Sequence, residues 1–332
     1  VGDDRKVTFE GVTKINTDAY FYLPTGNTES REATGSYNTG TRGIFGGGIG
    51  PANLTSIEYV TIASTGDGLT FGDLSTAKRG YIGGVSSSTR GITGGGNPGG
   101  SPDGSTLIEY ITIPSTGNAQ DFGDLTASGR NSACGSNSTR GIYAGGDNRL
   151  TTIDYVTISS KGNGAAFGSL TSPGRGNFSA VSNPTRVIFG GGYTTNTMEY
   201  VTIASTGNPQ DFGDLTAERF DPIGISNLVR GIFAGGKDPS PSTFYNLIDY
   251  ITMSSMGNAV DFGDLTAPRS ACAGASSSTR GVIAGGLTPT PSHSDIIEYV
   301  NIMTTGNATS FGTLTTGRSQ AFSVSNGHGG LG

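Results

Sequence analysis

Apolar residues along this chain fall in short runs, separated by stretches of Ser, Thr, Gly and Asn, and the runs recur. One run follows an arginine and ends in two glycines, as in Arg280-Gly281-Val282-Ile283-Ala284-Gly285-Gly286. Its other copies are centred on Arg42, Arg90, Arg140, Arg186 and Arg230, at spacings of 48, 50, 46, 44 and 50 residues. A second run is Ile57-Glu58-Tyr59-Val60-Thr61-Ile62. Here Ile57 and Tyr59 point to one side of a strand, Val60 and Ile62 to the other. Such a strand is covered on both faces. A third run, Phe71-Gly72-Asp73-Leu74, returns at Phe122, Phe167, Phe212, Phe262 and Phe311. A fourth is built from small residues and follows Arg79, Arg130, Arg175, Arg219, Arg269 and Arg318, for instance Gly80–Val85, Asn177–Val181 and Ala271–Ala275. No segment keeps a helical period over three turns.

Each unit therefore holds four short strands: small residues first, then the double-glycine run, the Tyr-bearing run and the Phe-bearing run. Small side chains suit the crowded inner edge of a ring. A four-strand unit at this period, buried on both faces, predicts an all-β, six-bladed β-propeller, with seven blades as the alternative. One blade cannot bury its own faces, so neighbours must stack. After the sixth blade the chain runs Arg318-Ser319-Gln320-Ala321-Phe322-Ser323-Val324, a first strand with no blade of its own. The matching stretch before the first unit, Glu32–Gly40, is a poor strand former. The C-terminal strand is thus expected to complete the first blade. The propeller is expected to span 31–332, with 1–30 as an N-terminal strand, neck or connecting segment.

Composition narrows what such an object does. The chain has 332 residues, 57 of them glycine, and a net charge of −6. There is no basic stripe of the kind nucleic acid requires, and no apolar run near the roughly 18 residues of a membrane span. Two cysteines, Cys134 and Cys272, lie three repeats apart, on opposite sides of a six-membered ring. They are expected to be buried free thiols.

The arginine, small-residue strand, double glycine, Tyr-bearing strand and aromatic-x-x-Leu strand together resemble the kelch repeat. Kelch families usually carry Trp in the fourth strand; this chain has no Trp and uses Phe. The fuller wording, Ile-Glu-Tyr-Val-Thr-Ile-Ala-Ser-Thr-Gly-Asn followed by Asp-Phe-Gly-Asp-Leu-Thr, resembles propeller repeats in virion structural proteins of marine tailed phages, cyanophages especially. The segment Tyr20-Phe21-Tyr22-Leu23-Pro24-Thr25-Gly26 is similar to one that leads into such domains. The resemblance implies an extracellular location on the virion, in a tail fibre or another appendage of the tail or capsid surface. It implies partners among other virion subunits, reached through the N-terminal segment, and homo-oligomers fit it.

Carboxylates recur with the arginines: Glu58, Glu109, Asp154, Glu199, Asp249 and Glu298 on the third strand. An anion-binding ring is one reading. Ion pairing within and between blades is the other, and use of the same pair in every blade favours it. The first strands offer a channel Ser, Ala, Gly and Asn, with Asp221 the sole acid, and the two histidines, His293 and His328, stand in a loop and a tail. No Cys/His/Asp set has metal spacing and no carboxylate pair stands out. The chain is expected to be no enzyme and to need no cofactor.

The connection between second and third strands breaks the symmetry. It is long in blade two (Asn97–Thr106), five (Lys237–Asn246) and six (Leu287–Asp295), and short in three (Asp147–Thr152) and four (Tyr193–Thr197). Repeat proteins bind through the face where such differences collect. Candidate binding residues there are Asn53, Asp103, Asn148, Lys237, Phe244, Tyr245 and His293. Phe244 and Tyr245 lead: exposed, they would stack on sugar rings or fill a partner's pocket; the alternative is that they pack onto the blade. Asp103 and Asp238 are weak candidates for a calcium ion. The expected role is receptor binding, to a host-surface glycan or protein. The alternative is a structural decoration or assembly protein of the virion with no ligand site.

Overall fold

Six sheets of four antiparallel strands form a closed ring, each strand order running first, second, third, fourth from the inside out. The computed structural model describes residues 41–77, 83–98, 104–171, 173–193, 195–238, 243–290 and 292–331. The expected neck, 1–30, and the stretch Glu32–Gly40 lie outside the described residues. Blade six is representative: Ala273–Ser276, Arg280–Ala284, Ile296–Asn301 and Thr309–Thr313. Blade one takes its second, third and fourth strands from Arg42–Gly46, Ser56–Thr61 and Leu69–Asp73. Its first is the C-terminal strand Phe322–Ser325. The ring thus closes as the sequence predicts, with six blades rather than seven.

The core lies between blades. Ile57 and Tyr59 pack with Ile111 and Ile113 of blade two. Val60 and Ile62 pack with Val282 and Ile297 of blade six. In each blade the third and fourth strands slip register by one residue, and the unpaired residue is the phenylalanine, as where Ile57 opposes Gly72 and Glu58 opposes Thr70. This bulge leaves each Phe edge-on to the tyrosine of its own sheet, with ring centres 6.0–6.2 Å apart. The second-strand arginines lie over the same tyrosines at 4.4–4.8 Å. Five of them, at 42, 90, 140, 230 and 280, also donate to a carbonyl of the next blade.

The first strands begin later than the sequence reading placed them, at Ser179 and Ala273 rather than Asn177 and Ala271. Asn177, Asp221, Ala271 and Gln320 take positive φ of 56–61°. That turn aims each N–H at the carbonyl of the corresponding residue one blade back. At the other end of the channel, the hydroxyls of Ser86, Ser136, Ser226, Ser276 and Ser325 each donate to the neighbouring serine's carbonyl. The tail closes this end. His328 Nε2 lies 3.0 Å from the Ser86 carbonyl and 3.4 Å from Ser136 Oγ. Cys134 and Cys272 are free thiols on opposite blades, and burial raises both pKa values.

Candidate functional site

All six second-to-third connections leave at one end, because every sheet has the same order. There they meet the links that carry the chain from one blade to the next: Ile49 bridges to Ser319, Lys237 to Phe220, and Leu287 to Ser270. This end of the ring also holds the repeated ion pairs. Arg175, Arg219, Arg269 and Arg318 each pair with a third-strand carboxylate of the same blade: Glu199, Asp249, Glu298 and Glu58. Burial lowers the pKa of Arg175, Arg219 and Arg318, and the facing carboxylate opposes that shift. The pairs brace the ring. They are closed in by their own sheets and, among the described residues, leave no circle of free charge to bind an anion.

The carboxylates do a second job. In five blades the carboxylate accepts the backbone N–H of the residue after the preceding blade's Phe-x-x-Leu: Ser75 to Glu109, Thr126 to Asp154, Thr216 to Asp249, Thr266 to Glu298 and Thr315 to Glu58. Blade four differs. Glu199 takes the Thr171 hydroxyl on Oε1, the oxygen that also faces Arg175, and its buried Oε2 has no hydrogen-bond partner. A cavity of about 270 Å³ opens at this seam, bordered by Arg149, Arg175, Tyr193, Thr195 and Glu199.

Blade three contributes a further departure. Arg130, which by position should pair with Asp154, turns to Asp147 in the short loop, and Asn131 bonds the same carboxylate. The loop passes through two left-handed residues, Asn148 at φ 60° and Arg149 at φ 56°. A Cβ on Gly174 would stand 2.3 Å from the Arg149 carbonyl oxygen, so only glycine admits this close approach.

The residues singled out from sequence do not converge. Asn53 is half-buried in blade one, where its backbone bridges to Ile49. Asn148 is exposed in blade three. His293 is half-buried in blade six, its Nδ1 3.0 Å from Ser319 Oγ. Asp103 lies outside the described residues. Lys237, Phe244 and Tyr245 share the blade-five loop. The two aromatics are half-buried there rather than standing free. Phe244 pairs through its backbone with Lys237, whose Nζ lies 5.8 Å from the Phe244 ring. The Tyr245 hydroxyl donates to Asp238 at 3.4 Å; burial and that neighbouring carboxylate raise its pKa. Asp238 is thus engaged within its loop, and no cluster of three or more metal-ligating side chains occurs among the described residues.

Two residues of the short loops that the sequence does not single out, Arg149 and Tyr193, border the cavity. Tyr193 is 46% exposed and stacks on Phe220, 5.4 Å between centres and 16° between planes. Lys237 Nζ sits 4.6 Å from the same Phe220 ring and 3.7 Å from Asp221, which also accepts from Asn177. An aromatic and charged band therefore runs from the seam cavity across blades three to five. The spacing before the first strand gives no signal: five positions separate Leu170 from Arg175, but also Leu74 from Arg79 and Leu125 from Arg130, where the seams are closed.

The fold and this one-sided band define the class, a six-bladed β-propeller whose individuality sits on one rim. Compared with known proteins, the chain matches no protein-family model and no curated protein.

Proposed function

We propose that this propeller is a non-enzymatic, kelch-like attachment module of a phage virion appendage, a tail fibre or surface adhesin. In this reading it engages a host-surface glycan or protein through the loop face. The phage assignment rests on the repeat wording and the N-terminal segment. The attachment role is carried by one observation: the blades repeat nearly residue for residue except at one end, where loop lengths, charges and aromatics differ. A selective surface needs such asymmetry, and a rigid closed ring holds it at little entropic cost on binding.

The test is binding of the labelled full chain to host cells and to an array of surface glycans. Lys237→Ala combined with Phe244→Ala is expected to weaken binding ten-fold or more. Lys161→Ser, on the opposite face, is expected to leave it unchanged. No binding at all, with the loop face covered by neighbouring subunits in an image of the particle, would instead favour a decoration protein.

A further inference from the structure

Five of the six blade seams are sewn shut by a backbone N–H donated to a buried carboxylate. The sixth, between blades three and four, is open, and its lining is chemically specific. Arg149 is exposed and makes no ion pair or side-chain hydrogen bond among the described residues. Beneath it Arg175 and Glu199 neutralise each other. The cleft therefore carries one uncompensated positive charge in a chain of net charge −6. Tyr193 lines the same cavity, its ring fixed in plane by the stack on Phe220. Hydroxyls come from Thr171, Thr195 and Thr197.

The backbone supports the same reading. The positive φ at Asn177, Asp221, Ala271 and Gln320 is explained by the ring of N–H to carbonyl bonds that recurs from blade to blade. Among the described residues, Asn148 and Arg149 are the only non-glycine positions with positive φ in a loop between second and third strands. Strain of this kind persists where surrounding structure enforces it, and it collects at binding sites. What it does here is set Arg149 at the rim of the cleft, against Gly174.

We propose that the cleft between blades three and four binds one carboxylate-bearing sugar unit, its acid group on the Arg149 guanidinium and a ring face on Tyr193. This rests on the attachment reading above and names the ligand class for it. A guanidinium fork matches a carboxylate in two parallel hydrogen bonds. A rigid exposed aromatic offers a flat apolar face at low entropic cost. The cavity, about 270 Å³, lies just below the roughly 300 Å³ at which small-molecule sites begin, which fits one sugar and excludes a buried oligomer.

The experiment is titration of the full chain with glucuronate, galacturonate and N-acetylneuraminate, followed by ligand-observed NMR and calorimetry. Glucose, the methyl ester of glucuronate and acetate serve as comparisons. At least one acidic sugar is expected to bind, with the ester and acetate ten-fold weaker or more. Arg149→Gln should reduce affinity about ten- to a hundred-fold, the usual scale for one charged hydrogen-bond pair. Tyr193→Ala should weaken the sugar but not acetate. Both side chains reach solvent, and an unchanged thermal midpoint confirms that each variant folds. Equal binding of ester and acid, full affinity in Arg149→Gln, or no binding by any acidic sugar overturns the proposal. Host-cell binding that Arg149→Gln leaves intact overturns the cleft while the attachment reading stands. Acidic-sugar binding without any host-cell binding supports the cleft and removes the attachment reading.

Discussion

The seam between blades five and six and the seam between blades three and four use the same parts and end differently. In the first, Thr266 N–H and Arg269 hold the two oxygens of Glu298, and both charged side chains are at most 1% exposed. In the second, Thr171 and Arg175 crowd one oxygen of Glu199, the pair is 8–9% exposed, and a cleft lies alongside. Two small changes separate them. One extra residue stands between Leu170 and Arg175, as it also does between Leu74 and Arg79 and between Leu125 and Arg130 at closed seams, and the Tyr193–Thr197 connection is the shortest of the six. Blade six has the longer loop Leu287–Asp295, and it covers its own pair: Ser294 Oγ reaches Arg269 and the Ser294 carbonyl accepts from Arg318 N–H. Here the long loop of blade six seals the seam beneath it, and the shortest connection, in blade four, leaves its seam open. In this ring the place to look for a ligand is where the repeat lost material.

The sharpest way to break this comparison is to remove the arginine from each seam. Arg269→Ala strands Glu298 in a dry site and is expected to cost about 3–5 kcal/mol. Arg175→Ala, beside a cleft that admits water, is expected to cost roughly half as much. Parallel denaturant melts check the ranking, and equal losses would mean that the two seams are equally dry.

Gly174→Ala is expected to cost about 1–3 kcal/mol, because the new Cβ meets the Arg149 and Leu150 carbonyl oxygens at 2.3–2.4 Å. It should also displace the Arg149 loop and lower acidic-sugar affinity. A neutral result in both measurements would show that the loop yields freely and that its conformation does not set the site.

The smallest effect concerns the other feature made only once, the tail in the channel. Burial lowers the His328 pKa below its ordinary value, so the folded state prefers the neutral ring. The unfolded chain then binds more protons below about pH 6.5, and stability falls as pH drops through that point. Against a His328→Gln variant, the wild-type thermal midpoint should lose an additional degree or so between pH 7 and pH 5. Parallel pH profiles would show that the histidine carries no such linkage.

Much of this architecture is legible in the chain itself. The two-sided pattern of Ile57, Tyr59, Val60 and Ile62 announces burial between blades, and these residues divide between the two neighbouring seams. The homeless strand after Arg318 announces the closure. Asn326 shows how complete that closure is, since its side chain accepts the Arg42 N–H as Asn137 does for Arg140 within one turn. The site was less legible. Whether Phe244 and Tyr245 stand free or pack onto the blade stayed open, because a loop aromatic has no periodicity to betray its burial. Arg149 and Tyr193 looked ordinary because nothing local marks a cleft.

The order of strands within a blade, the faces they bury and the recurrence of arginines and carboxylates at matching positions were legible in the sequence alone, because they depend on periods of two residues and of one blade. The location of the opening was decided only in three dimensions. It arises where Arg149, Leu150, Thr171, Gly174, Arg175, Tyr193 and Glu199, distant in the chain, meet at one seam. A short connection is silent locally. It becomes a cavity only when neighbouring blades fix how much space must be filled.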